Sequence, residues 1–148
     1  MSATLPRRAL LAAGLGTLWL RPAQATRAEL QAVIESFAAG QAPQRGRIAL
    51  EIAPLVENGN AVPLTITVES PMTAAQHVRE IAVYTELNPQ REVLRCQLGP
   101  RNGRAQVATR IRLATSQQLV ALARLSDGSV WMQDMDVIVT LAACVEGG

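Results

Sequence analysis

The sequence predicts an all-β, immunoglobulin-like β-sandwich carrying one short N-terminal helix. Three observations lead there. Apolar and polar residues alternate at a period of two through most of the chain after residue 47. Turn signals recur about every ten residues, and seven strand-like runs fill about a hundred residues, the pattern of a sandwich with short connections.

The helix comes first. Thr26-Arg27-Ala28-Glu29 fits a capping box, and Leu30, Val33, Ile34 and Phe37 follow at helical spacing before Gly40. The period then drops to two. Ile48, Leu50 and Ile52 alternate with Ala49 and Glu51, and Asn58-Gly59-Asn60 marks a turn. Val62, Leu64, Ile66 and Val68 form the apolar face of a second strand, which Ser70-Pro71 breaks. Further strands are expected at 78–85 (closed by Asn88-Pro89), 93–98 (closed by Gly99-Pro100), 105–113 and 117–125. Ser126-Asp127-Gly128-Ser129 turns the chain into the last strand, 130–141, with Val137, Val139 and Leu141 on one face.

Ahead of this domain, residues 1–25 read as an export signal. Arg7-Arg8 precedes an uncharged run from Ala9 to Leu20, and Ala23-Gln24-Ala25 supplies a small-x-small cleavage site. Twelve residues are too few to span a bilayer, which needs about twenty. The paired arginines fit the twin-arginine route, the alternative being an ordinary secretory signal. Cleavage after Ala25 leaves 26–148, a single domain of 123 residues with eleven basic and twelve acidic side chains. A near-neutral chain with few aromatics offers no footprint for nucleic acid or an anionic membrane. One histidine and two cysteines without ligand spacing supply no structural metal site, and no cofactor motif is present.

Four stretches and the approach to the C-terminus resemble the SoxY family of sulfur-oxidation carriers. They are Glu57-Asn58-Gly59-Asn60-Ala61-Val62-Pro63, Ser70-Pro71-Met72-Thr73, Thr109 to Gln117, Ser126-Asp127-Gly128, and Val137-Ile138-Val139-Thr140 leading to Cys144. The resemblance implies a sandwich paired as a heterodimer with a second sandwich protein, SoxZ. It also implies a C-terminal arm whose cysteine bears sulfur compounds such as thiosulfate and presents them to periplasmic sulfur-oxidising enzymes and cytochromes. Cys144 occupies that position. The family's arm ends in Gly-Gly-Cys-Gly-Gly, whereas residues 142–148 read Ala-Ala-Cys-Val-Glu-Gly-Gly, closer to a side branch with an Ala-Ala-Cys-Ile-Glu arm.

Single residues carry competing readings. Cys144 lies three residues past Leu141, so a free arm would carry it about 10 Å off the sandwich. Against the carrier reading stand a bystander on a frayed tail, or half of a disulfide with Cys96. Glu146 and the terminal carboxylate disfavour its thiolate, which suits a thiol activated by a partner enzyme better than a catalyst. Cys96 shares the phase of Leu94 and Leu98 and reads as core packing. His77 is expected to be solvated or hydrogen-bonded at a strand entrance. Arg110 and Arg112 share one strand face, as a solvated surface or as a rim for a partner or anionic cargo. Function therefore divides between a covalent sulfur carrier and a non-catalytic adaptor sandwich, with no acid-base constellation for an enzyme.

Overall fold

The computed structural model describes residues 22–143. Helix α1 (Pro22–Ala38) is followed by strands β1 (Ile48–Glu51), β2 (Leu55–Asn58), β3 (Val62–Val68), β4 (Val78–Thr85) and β5 (Glu92–Gln97). A short 3-10 turn (Pro100–Asn102) leads to β6 (Gln106–Ile111), β7 (Gln117–Leu125) and β8 (Val130–Leu141). The strands form two sheets, ordered β1-β3-β6 and β2-β8-β7-β4-β5.

The β-sandwich expected from the periodicity is present. Ile48, Leu50, Leu64 and Ile66 of the smaller sheet pack against Ile81, Val83, Leu119 and Ala121 of the larger one. On the outer face of the larger sheet, Leu30, Ile34, Phe37 and Ala38 of α1 cover Ala82, Tyr84, Val120 and Leu122. Their spacing of four, three and one places these helical residues in one stripe. Burying each large side chain contributes about 1.5–3 kcal/mol. Because α1 closes the second face, β4 and β7 are buried on both sides, and Ile81-Ala82-Val83-Tyr84 stays buried without alternation.

Two local expectations are corrected. The helix begins at Pro22 rather than at a Thr26 cap, since proline suits the first helical position and no residue from 22 to 26 interrupts the helix. Glu29 accordingly serves no cap and forms an ion pair with Arg91. Among the described residues there are also eight strands rather than the seven expected. Leu55–Asn58, read as the approach to a turn, pairs in parallel with β8 through Leu55↔Ile138 and Val56↔Val139. Four residues between Pro54 and Gly59 are too short to display a period, and their partner lies some eighty residues away. Only the end of β8 is covered in this way; at its start, Gln44 bridges to Trp131, and Arg47 stacks on the same indole at 4.8 Å.

Candidate functional site

The end of β8 is held on both flanks. On one, the Thr140 hydroxyl donates to the Glu57 carbonyl at 3.2 Å. On the other, the Val139 amide donates to Ser116 Oγ at 2.8 Å. Beyond β8, three backbone bonds form a clasp. The Gly59 amide donates to the Leu141 carbonyl at 2.9 Å, and the Leu113 amide to the Gly59 carbonyl at 2.9 Å. The Ala143 amide then donates to the Leu113 carbonyl at 3.3 Å. Glycine is required at 59 by space: a Cβ there would stand 2.3 Å from the Leu113 oxygen and 3.0 Å from the Ala143 nitrogen.

The clasp corrects the expected arm. The chain does not leave the sandwich at Leu141, because Ala143 is buried and bonded to the body. The reach of about 10 Å counted from Leu141 no longer applies, since the anchor has moved two residues outward. The Cα of Cys144 is tied about 3.8 Å from that of Ala143 by the peptide link. Cys144 itself, the residues after it and the expected export segment through residue 21 lie outside the described residues.

Ala143 lines an open groove of about 590 Å³ together with Asn88, Glu92, Arg110 and Arg112. One wall is fixed by a closed amide network. Asn88 Oδ1 accepts from the Ala114 amide at 2.9 Å and from Gln117 Nε2 at 2.8 Å, while its Nδ2 donates to the Arg112 carbonyl at 2.8 Å. Gln117 Oε1 in turn accepts from the Leu87 amide at 2.8 Å. Arg110 and Arg112 are exposed, as their strand phase indicated. Their guanidinium groups have no hydrogen-bond or ion-pair partner among the described residues.

The other residues singled out lie apart from this groove. Cys96 faces inward on β5 but is half-buried, so it is no part of the closed core. The reason is position: β5 is the edge of its sheet, and an edge strand is packed from one side only. His77 is hydrogen-bonded, its Nδ1 lying 3.0 Å from the Thr73 carbonyl and its amide donating to Ser126 Oγ at 3.0 Å.

A second cluster, missed in the sequence, ties α1 to the large sheet. Arg95 donates to Tyr84 Oη at 2.7 Å and to Glu92 at 2.7 and 3.0 Å, and it also pairs with Glu80. Arg124 stacks on Phe37 at 4.9 Å and donates to the Phe37 carbonyl. Burial raises the Tyr84 phenol above its ordinary pKa against the pull of Arg95. The hydrogen bonds from Arg95 lower that of Glu92. With every cation paired to a carboxylate or carbonyl, this cluster is built as a clamp. Among the described residues, no group of three or more histidine, cysteine, aspartate or glutamate side chains is placed to hold a metal ion. No described helix is long and apolar enough to cross a membrane.

Comparison with known proteins gives a consistent picture. A family described as the sulfur oxidation protein SoxY matches residues 34–144. The sulfur carrier protein SoxY from Chlorobium limicola f thiosulfatophilum superposes with a TM-score of 0.64 at 23% identity, covering 78% of this chain and 99% of that one. A superoxide reductase (neelaredoxin) from Ignicoccus hospitalis gives 0.56 at 20% identity, over 64% and 80% of the two chains. The superoxide reductase from Nanoarchaeum equitans gives 0.55 at 13% identity, over 65% and 100%. Likeness at these identities carries the fold alone. No match was found among curated proteins.

Proposed function

Since the chain belongs to the SoxY family of sulfur oxidation proteins, we propose that it is a periplasmic carrier that binds sulfur compounds covalently on Cys144. The observation that carries this reading is the extent of the family match, which runs through the strands and ends on Cys144 itself. The likeness to the Chlorobium protein, a sulfur carrier, supports it. The strand orders β1-β3-β6 and β8-β7-β4 support an immunoglobulin-type scaffold, and the clasp at Ala143 supplies a defined base for a carrier residue.

In this mechanism the chain is no enzyme. Joining the Cys144 thiol to thiosulfate removes two electrons, which partner enzymes and cytochromes take up. Residues 1–25 direct export, with the twin-arginine pair as the preferred route, and the mature chain begins at Thr26. A SoxZ-like sandwich is the partner in a heterodimer. Leu55, Ile138 and Leu141 at the β2–β8 edge are 57%, 59% and 62% exposed and provide its apolar contact beside the arm base.

Intact mass of the natively purified protein tests the carrier reading against the adaptor reading. The carrier predicts additions in multiples of one sulfur, or of thiosulfate, that vanish in Cys144→Ser. Unmodified thiol in all preparations, or additions that survive the substitution, would overturn it.

A further inference from the structure

We propose that Asn102–Gly103 is a self-modifying site, where the asparagine converts to aspartate and isoaspartate, and that the fold withholds the same reaction from Asn58–Gly59. The sequence contains both asparagine–glycine pairs. In such a pair the glycine backbone nitrogen attacks the side-chain carbonyl carbon of the asparagine, unhindered by any Cβ on the glycine. A new carbon–nitrogen bond forms, the side-chain carbon–nitrogen bond breaks, and ammonia leaves with the proton that the backbone nitrogen gives up. Water then opens the cyclic imide at either carbonyl, giving aspartate or isoaspartate. No oxidant, reductant or second protein takes part.

The two pairs differ in whether that nitrogen is available. At residue 59 it is committed: the Gly59 amide donates to the Leu141 carbonyl at 2.9 Å, inside the clasp that also joins Leu113 to Gly59 and Ala143 to Leu113. Gly59 is buried, and the place of its missing Cβ is closed by the Leu113 oxygen at 2.3 Å. Asn58 is the last residue of β2, so closing the ring would also turn its backbone out of its pairing with Leu141. At residue 103 the amide makes only a long bond, 3.4 Å to the Pro100 carbonyl of the same short turn. Asn102 and Gly103 are exposed, and a Cβ placed on Gly103 would meet nothing within 4 Å.

Polarisation of the carbonyl does not separate the pairs. Asn58 Oδ1 accepts from the Asn60 amide at 2.9 Å, and Asn102 Oδ1 accepts from the Gly99 amide at 2.8 Å. Asp127–Gly128 has the same shape but is protected chemically. Hydrogen bonds from Ser129 hold the Asp127 carboxyl below its ordinary pKa, and an ionised carboxylate resists attack. Conversion at Asn102 places a new carboxylate between the exposed Arg101 and Arg104, and the isoaspartate product adds a carbon to the main chain of the turn.

The test ages the full chain at mildly alkaline pH and follows both asparagines by peptide mass spectrometry after digestion at acid pH. Labelling by an isoaspartyl methyltransferase is the second readout. In the native state Asn102 should convert at least about tenfold faster than Asn58, equivalent to about 1.4 kcal/mol and within reach of the clasp's backbone bonds. In concentrated urea, where the clasp is lost, the two rates should converge. Asn102→Gln should remove the native-state methyltransferase signal. Native Asn58 converting as fast as Asn102, a native Asn102 that stays intact, or a rate difference that persists in urea would each overturn the proposal. So would methyltransferase labelling that survives Asn102→Gln in the native chain.

Discussion

Replacing Gly59 by alanine puts the clasp under direct test. The new Cβ would stand 2.3 Å from the Leu113 oxygen, 3.0 Å from the Ala143 nitrogen and 3.1 Å from Val139 Cγ1. The first two are backbone atoms, so no side-chain rotation relieves them. Relief requires the 58–60 turn to move away from Leu113, which stretches the Leu113–Gly59 bond and disturbs the Gly59–Leu141 and Ala143–Leu113 bonds. Two or three backbone bonds at about 0.5–1.5 kcal/mol each give a loss of about 2–3 kcal/mol. For a domain of this size that corresponds to a fall in Tm of about 8–12 °C. Urea unfolding followed by circular dichroism measures the loss. Iodoacetamide alkylation of Cys144 reads the arm and should accelerate as its base is released. Gly99→Ala is the control: Gly99 has extended backbone and nothing within 4 Å of the added carbon, so its cost should stay within about 0.5 kcal/mol. If Gly59→Ala behaves like that control in both assays, the clasp does not exist in solution.

Three further outcomes follow from the same geometry. Cys96→Ser should cost less than about 1 kcal/mol in urea unfolding and leave sulfur loading intact, because the half-exposed thiol gives its hydroxyl replacement access to water. Ile138→Asp should weaken the complex with a SoxZ-like partner at least tenfold by size-exclusion titration while changing the free chain by no more than about 0.5 kcal/mol, since this side chain is 59% exposed. Tyr84 has a folded pKa raised by burial, so its contribution to stability is complete below the ordinary phenol value of about 10 and is lost as pH rises beyond it. Tyr84→Phe should flatten that alkaline decline in pH-dependent unfolding, and lower stability at neutral pH by about 1–2 kcal/mol through the lost bond from Arg95.

What the sequence revealed followed from periodicity. The bounds of β3, β4, β7 and β8 were legible because long strands bounded by turn residues show their phase directly. Phase, however, gives direction and not depth. It placed Cys96 on the inner side of β5 without disclosing that β5 is an edge, where inward does not mean enclosed. It likewise put Arg110 and Arg112 together but was silent on the groove they share with Ala143. The capping-box pattern at Thr26 failed for a different reason: a threonine and glutamate three apart occur within helices as well as at their starts, and Pro22 competes for the role. The clasp was invisible because its bonds run between backbone groups at residues 59, 113 and 141–143, and backbone groups have no residue signature.

Leu113 gives residues 141–143 an unusual root. Its side chain is fully enclosed between the sheets, yet its own amide and carbonyl tie down Gly59 and Ala143. The Ala143 amide, two residues past the end of β8, is therefore fastened to a residue that cannot move without opening the interior. In hydrogen–deuterium exchange, the Ala143 amide is expected to exchange with the slowly opening strands.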